Sequence, residues 1–194
     1  SKAVDVKQPF ATHISSIYND ESFLNKDISF RLANDQQFTA HKFLLCARSN
    51  VLAEKLANEW VDNNVLLTEV RSDIFEIFLK FLYLIPILHV IRPEQYDQLI
   101  KLSSEFNVEL LPDFLDKARH IANPMEKSRL MSEYQYKFTE VVRKQLLLFV
   151  NHCIFSSAID LVDGEQQTTS LRGCPAYPDI QLSVRNRSGN VRIY

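Results

Sequence analysis

Glycine is nearly missing from this chain. It occurs three times in 194 residues, as Gly164, Gly173 and Gly189, so the first 163 residues have none. A loop that cradles phosphate needs glycine, to reach positive φ and to let the backbone approach the anion. Neither a Walker-type loop nor a dinucleotide fingerprint fits in that stretch. A Gly-x-Ser-x-Gly nucleophile elbow is absent as well. Cysteine is as scarce. Cys46, Cys153 and Cys174 lie far apart, with no Cys-x-x-Cys pair. That spacing argues against a zinc or dithiol site and suits a reducing compartment, cytosol or nucleus. Neither sign of charge dominates: 22 Lys and Arg face 24 Asp and Glu. No basic field advertises nucleic acid or an anionic membrane. The chain starts at Ser1, without a charged segment leading into an apolar one, and reads as an excised piece of a longer protein.

What remains is an ordinary globular mixture, 46 % apolar and 24 % charged. One apolar run, Ile74 to Ile91, is long enough to raise the question of a membrane span. Glu76 and Lys80 sit inside it and Pro86 interrupts it. Each charge costs roughly 2.5–3.5 kcal/mol at the centre of a bilayer. We therefore read a buried helix ending near Pro86, and no membrane partner.

Periodicity sets out the rest. Phe10, Ile14 and Ile17 recur at helical spacing. Ile28–Leu32 and Gln36–Ala40 flank Asn34-Asp35 and predict a hairpin. Residues 41–56 are helical in pattern with a break at Ser49-Asn50, where the serine can cap a second helix. Val65–Leu67 is a short strand candidate. Helices follow from Ser72, from Pro93 and from Pro112. Residues 126–157 read as one long helix or two, with Phe138, Val141, Val142, Leu146, Phe149 and Val150 near one face. Residues 163–177 are polar and turn-rich, the pattern of a linker. Asp179–Val184 and Asn190–Tyr194 alternate as two strands around Ser188-Gly189.

Three segments carry a family signature. They are Asp27-Ile28-Ser29-Phe30, then Phe38-Thr39-Ala40-His41-Lys42, then Leu44-Leu45-Cys46-Ala47-Arg48-Ser49. Their order and spacing resemble the hallmark of the BTB/POZ family, over about residues 9–122. The resemblance implies an α+β fold: a small, mainly antiparallel sheet flanked by a helical cluster, here followed by a helical extension at 124–158. It implies a protein-interaction module, with no catalysis and no cofactor. Pro178 to Val184 resembles the opening of a second such domain, truncated over 178–194; an exposed hairpin fits those residues equally. A BTB domain, a spacer and the start of another are similar to the ankyrin-repeat proteins with two BTB domains.

The resemblance also implies surfaces. The first helix would present Phe10, Ile14, Ile17 and Tyr18 to a second copy in a homodimer, or dock on its own domain. Asp27 and Lys42 would form a partly buried charge pair near that interface, or a solvated surface pair. The loop after the third helix would carry the apolar-x-Glu motif by which many relatives engage cullin-3. Here it reads Trp60-Val61-Asp62, one methylene shorter at the acid, and Trp60 can instead pack on its own core. Family members commonly have Tyr-x-Gly where this chain has Tyr83-Leu84-Ile85-Pro86. A different turn is therefore expected there, with Leu84, Ile85, Ile87 and Leu88 forming an apolar patch. The binding role divides into an adaptor of a cullin ubiquitin ligase and an oligomerisation scaffold. Catalysis has little to build on: five histidines are dispersed, and the adjacent His152-Cys153 point apart on a helix.

Overall fold

The hairpin forms where alternation predicts it. In the computed structural model, β1 (Ile28–Leu32) buries Ile28, Phe30 and Leu32 and turns Ser29 and Arg31 outward. It pairs antiparallel with β2 (Gln37–Ala40), Phe30 opposite Phe38. Asp35 closes the turn at φ 60°, and the Gln36 amide donates to Asn34 Oδ1 at 3.3 Å. The structure describes residues 7–19, 26–60, 62–155, 166–170, 181–187 and 190–193, with side chains over 10–19, 26–60 and 62–148. The chain divides into two units, 1–145 and 146–194.

In the first unit, α1 (Lys7–Ser16) precedes the hairpin, and α2 (Lys42–Arg48) and α3 (Asn50–Asn58) lead to β3 (Asn64–Leu67). β3 joins the other side of β1 and runs parallel to it, giving the order β2-β1-β3. The sheet is small, as expected, but mixed, with one antiparallel and one parallel pairing. A parallel neighbour needs a long crossover, and the α2–α3 pair supplies it. Then come α4 (Ser72–Leu82), short 3-10 turns at Leu88–Val90 and Pro93–Gln95, α5 (Tyr96–Glu105), α6 (Leu111–Arg119) and α7 (Pro124–Phe155). The inner face of the sheet meets α4, with the Phe30 and Phe75 rings 5.0 Å apart. No helix among the described residues is long and apolar enough to cross a membrane.

Caps fix the helix boundaries. Ser49 accepts from the Leu52 amide at 2.9 Å, and its hydroxyl donates to the Phe106 carbonyl. Such a cap is worth about 1 kcal/mol. The shortage of glycine shows at the other ends. Asp35, Asn63, Leu84, Asn107 and Leu110 all have left-handed backbone among the described residues. After α5, the Val108 amide donates to Ser103 O at 2.9 Å and the Asn107 amide to Ser104 O at 3.0 Å. After α4, Ile85 donates to Lys80 O at 3.0 Å and Leu84 to Phe81 O at 3.1 Å. Both are the double-bonded helix end that usually carries glycine at its left-handed residue. Left-handed leucine costs roughly 1–2 kcal/mol. Leu84 offsets that by burial, since only 4 % of it is exposed. This is the altered turn expected at Tyr83–Pro86. The apolar patch expected there is not on the surface: Leu84, Ile87 and Leu88 are buried and Ile85 is half-buried.

α7 is a single helix. Tyr134, Phe138 and Val142, each four residues on, are buried along one face. The Phe114 ring of α6 lies 5.0 Å from Tyr134 and 5.3 Å from Phe138. The Tyr134 hydroxyl donates to Asp113, and Lys117 Nζ donates to that hydroxyl at 2.8 Å. Of the other residues read on this face, Val141 and Leu146 are half-buried, and the side chains of Phe149 and Val150 lie outside the described residues.

In the second unit, β4 (Gln166–Ser170), β5 (Gln181–Arg187) and β6 (Asn190–Ile193) make an antiparallel sheet in that order. The β5–β6 pair matches the two strands read near Ser188-Gly189. The stretch read as a linker, 163–177, contains β4. Its Gln-Gln-Thr-Thr-Ser sequence has no apolar alternation to announce a strand, but β-branched threonine suits one. Asp179, Ile180 and Tyr194 lie outside the described residues.

Candidate interaction surfaces

The first helix is seated on its own domain. Ile14 and Ile17 are 8 % and 5 % exposed within the single chain. Phe10 and Tyr18 remain half-buried. The Tyr18 ring meets the Tyr83 ring edge-on at 5.1 Å, and Lys26 Nζ lies 5.4 Å from its centre. Burial, helped by Glu76, raises the Tyr18 phenol above its ordinary pKa.

Tyr83 is the centre of this corner. It is fully buried at the end of α4. Its hydroxyl accepts from the His41 amide at 2.9 Å and lies 2.8 Å from His41 Nδ1. Burial raises its pKa well above the phenol range; the His41 amide opposes this, and Asp27 and Tyr18 add to it. The phenol therefore keeps its proton at neutral pH, with His41 Nδ1 within hydrogen-bond distance. Sequence reasoning noted Tyr83 only for the turn after it. The pairing of His41 with a tyrosine 42 residues away leaves no local pattern.

Asp27 and Lys42 do come together, but through the backbone. Asp27 Oδ1 accepts from the Lys42 amide at 2.7 Å, at the start of α2. A carboxylate there satisfies an otherwise unpaired helix amide and favours the positive end of the helix. Lys42 is 8 % exposed. Among the described residues its ammonium makes no ion pair with Asp27, so the expected side-chain charge pair is a helix cap instead.

The loop after α3 is the other expected surface. Trp60 is half-buried. Its ring stands edge-on to Phe30 at 5.8 Å and Phe106 at 6.3 Å, and Lys55 Nζ lies 5.6 Å from its centre. It is therefore partly a core residue. Asp62 is exposed. The Asn63 amide donates to Trp60 O at 3.3 Å, and Asn64 Nδ2 donates to Asp62 O at 3.2 Å, so the bend is held by its own bonds. Val61 lies outside the described residues.

The sequence model of the BTB/POZ domain matches residues 19–119. This chain belongs to the BTB/POZ family. The match spans just over half of the chain; α1 precedes it and α7 follows it. The chain is 69 % identical, over all 194 of its residues, to Ankyrin repeat-containing protein YIL001W of Saccharomyces cerevisiae, and spans 38 % of that relative. It is 33 % identical over 85 residues to BTB/POZ domain-containing protein 3 of Schizosaccharomyces pombe, an alignment of 43 % of this chain and 16 % of the relative. BTB/POZ domains are protein-interaction modules, so the chemistry of this one is recognition by surfaces.

Proposed function

We propose that this BTB/POZ unit is the adaptor part of a longer ankyrin-repeat protein and docks on a cullin-type ligase scaffold through the loop after α3. The observation that carries this reading is Asp62, whose carboxylate is exposed beside the half-buried Trp60. An anchored aromatic next to a free acid is a fitting contact pair. Ankyrin repeats, named in the yeast relative, would recruit the substrate, in the cytosol or nucleus. The β5–β6 hairpin supports reading 178–194 as the start of a second BTB-like domain.

Trp60 also packs on Phe30, so its removal would disturb the fold. Asp62→Lys is the cleaner test. Recovery of recombinant cullin-3 is expected to fall at least tenfold, while stability shifts by no more than about 0.5 kcal/mol, as for most surface changes. Equal recovery by the variant and the wild type would exclude the loop.

A second reading, homodimerisation, is favoured by Phe10. Ile14 and Ile17 are already covered within the chain, which leaves Phe10 on α1, and Tyr18 just beyond it, only half-buried. Phe10→Asp is then expected to halve the mass found by sedimentation equilibrium. A wild type that is monomeric at micromolar concentration sinks this reading.

A further inference from the structure

α7 has a second face that its own domain covers only in part, with Pro124 and Ser128 exposed and Lys127 and Met131 half-buried. Pro124, Lys127, Ser128 and Met131 recur at helical spacing along its first turns, beside the buried face of Tyr134 and Phe138. Opposite them stands the turn from Pro86 to His89. Gln135 Nε2 donates to Leu84 O at 3.2 Å, two residues before that turn. Between helix and turn lies a groove of about 500 Å³, open to solvent. That size is typical of ligand clefts.

The lining has a consistent chemistry. Exposed Pro86 and half-buried Met131 supply apolar surface, and the nearly buried Leu88 lies beneath them. Methionine adapts its shape to what it binds. Lys127 and His89 are the ionisable groups of the lining, and no carboxylate is among them. Lys127 forms no ion pair among the described residues; its ammonium lies 5.8 Å from the Tyr96 ring centre. The Ser128 hydroxyl donates to Pro124 O at 3.0 Å and that of Ser132 to Ser128 O at 2.9 Å. Their protons are thus committed, and their lone pairs remain to accept amide N–H groups.

We propose that this groove takes a short extended segment of a partner protein, one that places an apolar side chain next to an Asp or Glu. The apolar residue lies against Met131 and Pro86, the acid pairs with Lys127, and backbone amides donate to Ser128 and Ser132. An open trough with hydroxyl acceptors on one wall suits a peptide better than an enclosed small molecule. Its positive, acid-free rim selects the sign of the neighbouring charge.

The test is selection of a random twelve-residue phage library on the full chain, followed by binding of the synthesised consensus peptide. The expected consensus pairs an apolar residue with Asp or Glu. Lys127→Glu and Met131→Asp are each expected to weaken it at least tenfold, and added salt weakens it further. Exchanging the peptide's acid for Lys is expected to restore binding to the Lys127→Glu protein, which separates a lost contact from a misfolded variant. Asp62→Lys leaves the peptide's affinity unchanged, so this site stands or falls apart from the cullin reading. Failure to obtain such a consensus, or a consensus whose binding neither groove variant moves, overturns the proposal.

Discussion

Gln145→Leu is expected to destabilise the first unit by about 2–4 kcal/mol, while Arg48→Met, at the other end of the same hydrogen bond, costs little or stabilises. The reason is a fully buried cation. Arg48 ends α2 with 1 % of its surface exposed. Its Nη1 donates to Gln145 Oε1 on α7 at 3.0 Å, and Gln145 Nε2 in turn donates to Glu109 Oε2 at 3.3 Å. Among the described residues Arg48 Nε has no hydrogen-bond partner. Burial pulls the guanidinium pKa down to about 10, with Glu109 opposing. It remains a cation at neutral pH, held in a place that disfavours its charge.

Leucine at 145 removes the acceptor and leaves that cation buried without one. Hydrogen bonds to charged groups contribute roughly 1.5–3 kcal/mol, and an uncompensated buried charge costs more. Methionine at 48 removes the charge itself and fills much of the same volume, a replacement that is often neutral or favourable. The double variant Arg48→Met, Gln145→Leu should therefore recover most of what Gln145→Leu alone loses. Urea unfolding of the four proteins gives the coupling directly. If Gln145→Leu is harmless, or if the losses simply add, the bond does not hold α7 to α2.

Arg48 also marks where sequence reading stops. Arginine on a short helix ordinarily reads as solvated. Only the arrival of α7, nearly a hundred residues later, buries it. A shorter but still non-local contact, with Phe114 and Asp113 of α6, hides Tyr134. Tyr134 and Tyr136 are two apart on one helix, and nothing local says that the first is buried while the second is 53 % exposed. By contrast, the β1–β2 hairpin and the serine cap were legible, because alternation, turn chemistry and capping are short-range. The parallel placing of β3 was not, since a four-residue strand carries no mark of its partner's direction. Trp60 was legible as an aromatic on a loop. Its sharing between surface and core depends on Phe30 and Phe106, which come from other elements.

Tyr83→Phe should cost about 2–4 kcal/mol and also change how stability responds to alkali. The variant keeps the ring, and so keeps the edge contact with Tyr18. It removes the hydroxyl that satisfies the buried His41 amide and reaches Nδ1. A buried amide left without an acceptor costs roughly 1–3 kcal/mol, and loss of the second bond adds to it. The pH effect has a definite sign. In the unfolded chain the phenol loses its proton near pH 10. In the folded chain burial holds its pKa higher. This contribution is complete below pH 10 and declines as the pH rises toward the folded value, because the unfolded state releases the proton first. Tyr18 and Tyr96, whose pKa values burial also raises, contribute in the same sense. Tyr83→Phe should therefore flatten the fall of stability above pH 10 without abolishing it. Urea midpoints at pH 8 and at pH 10.5 read both effects. An unchanged alkaline slope would place the Tyr83 phenol in water and undo its part in seating His41 and α1.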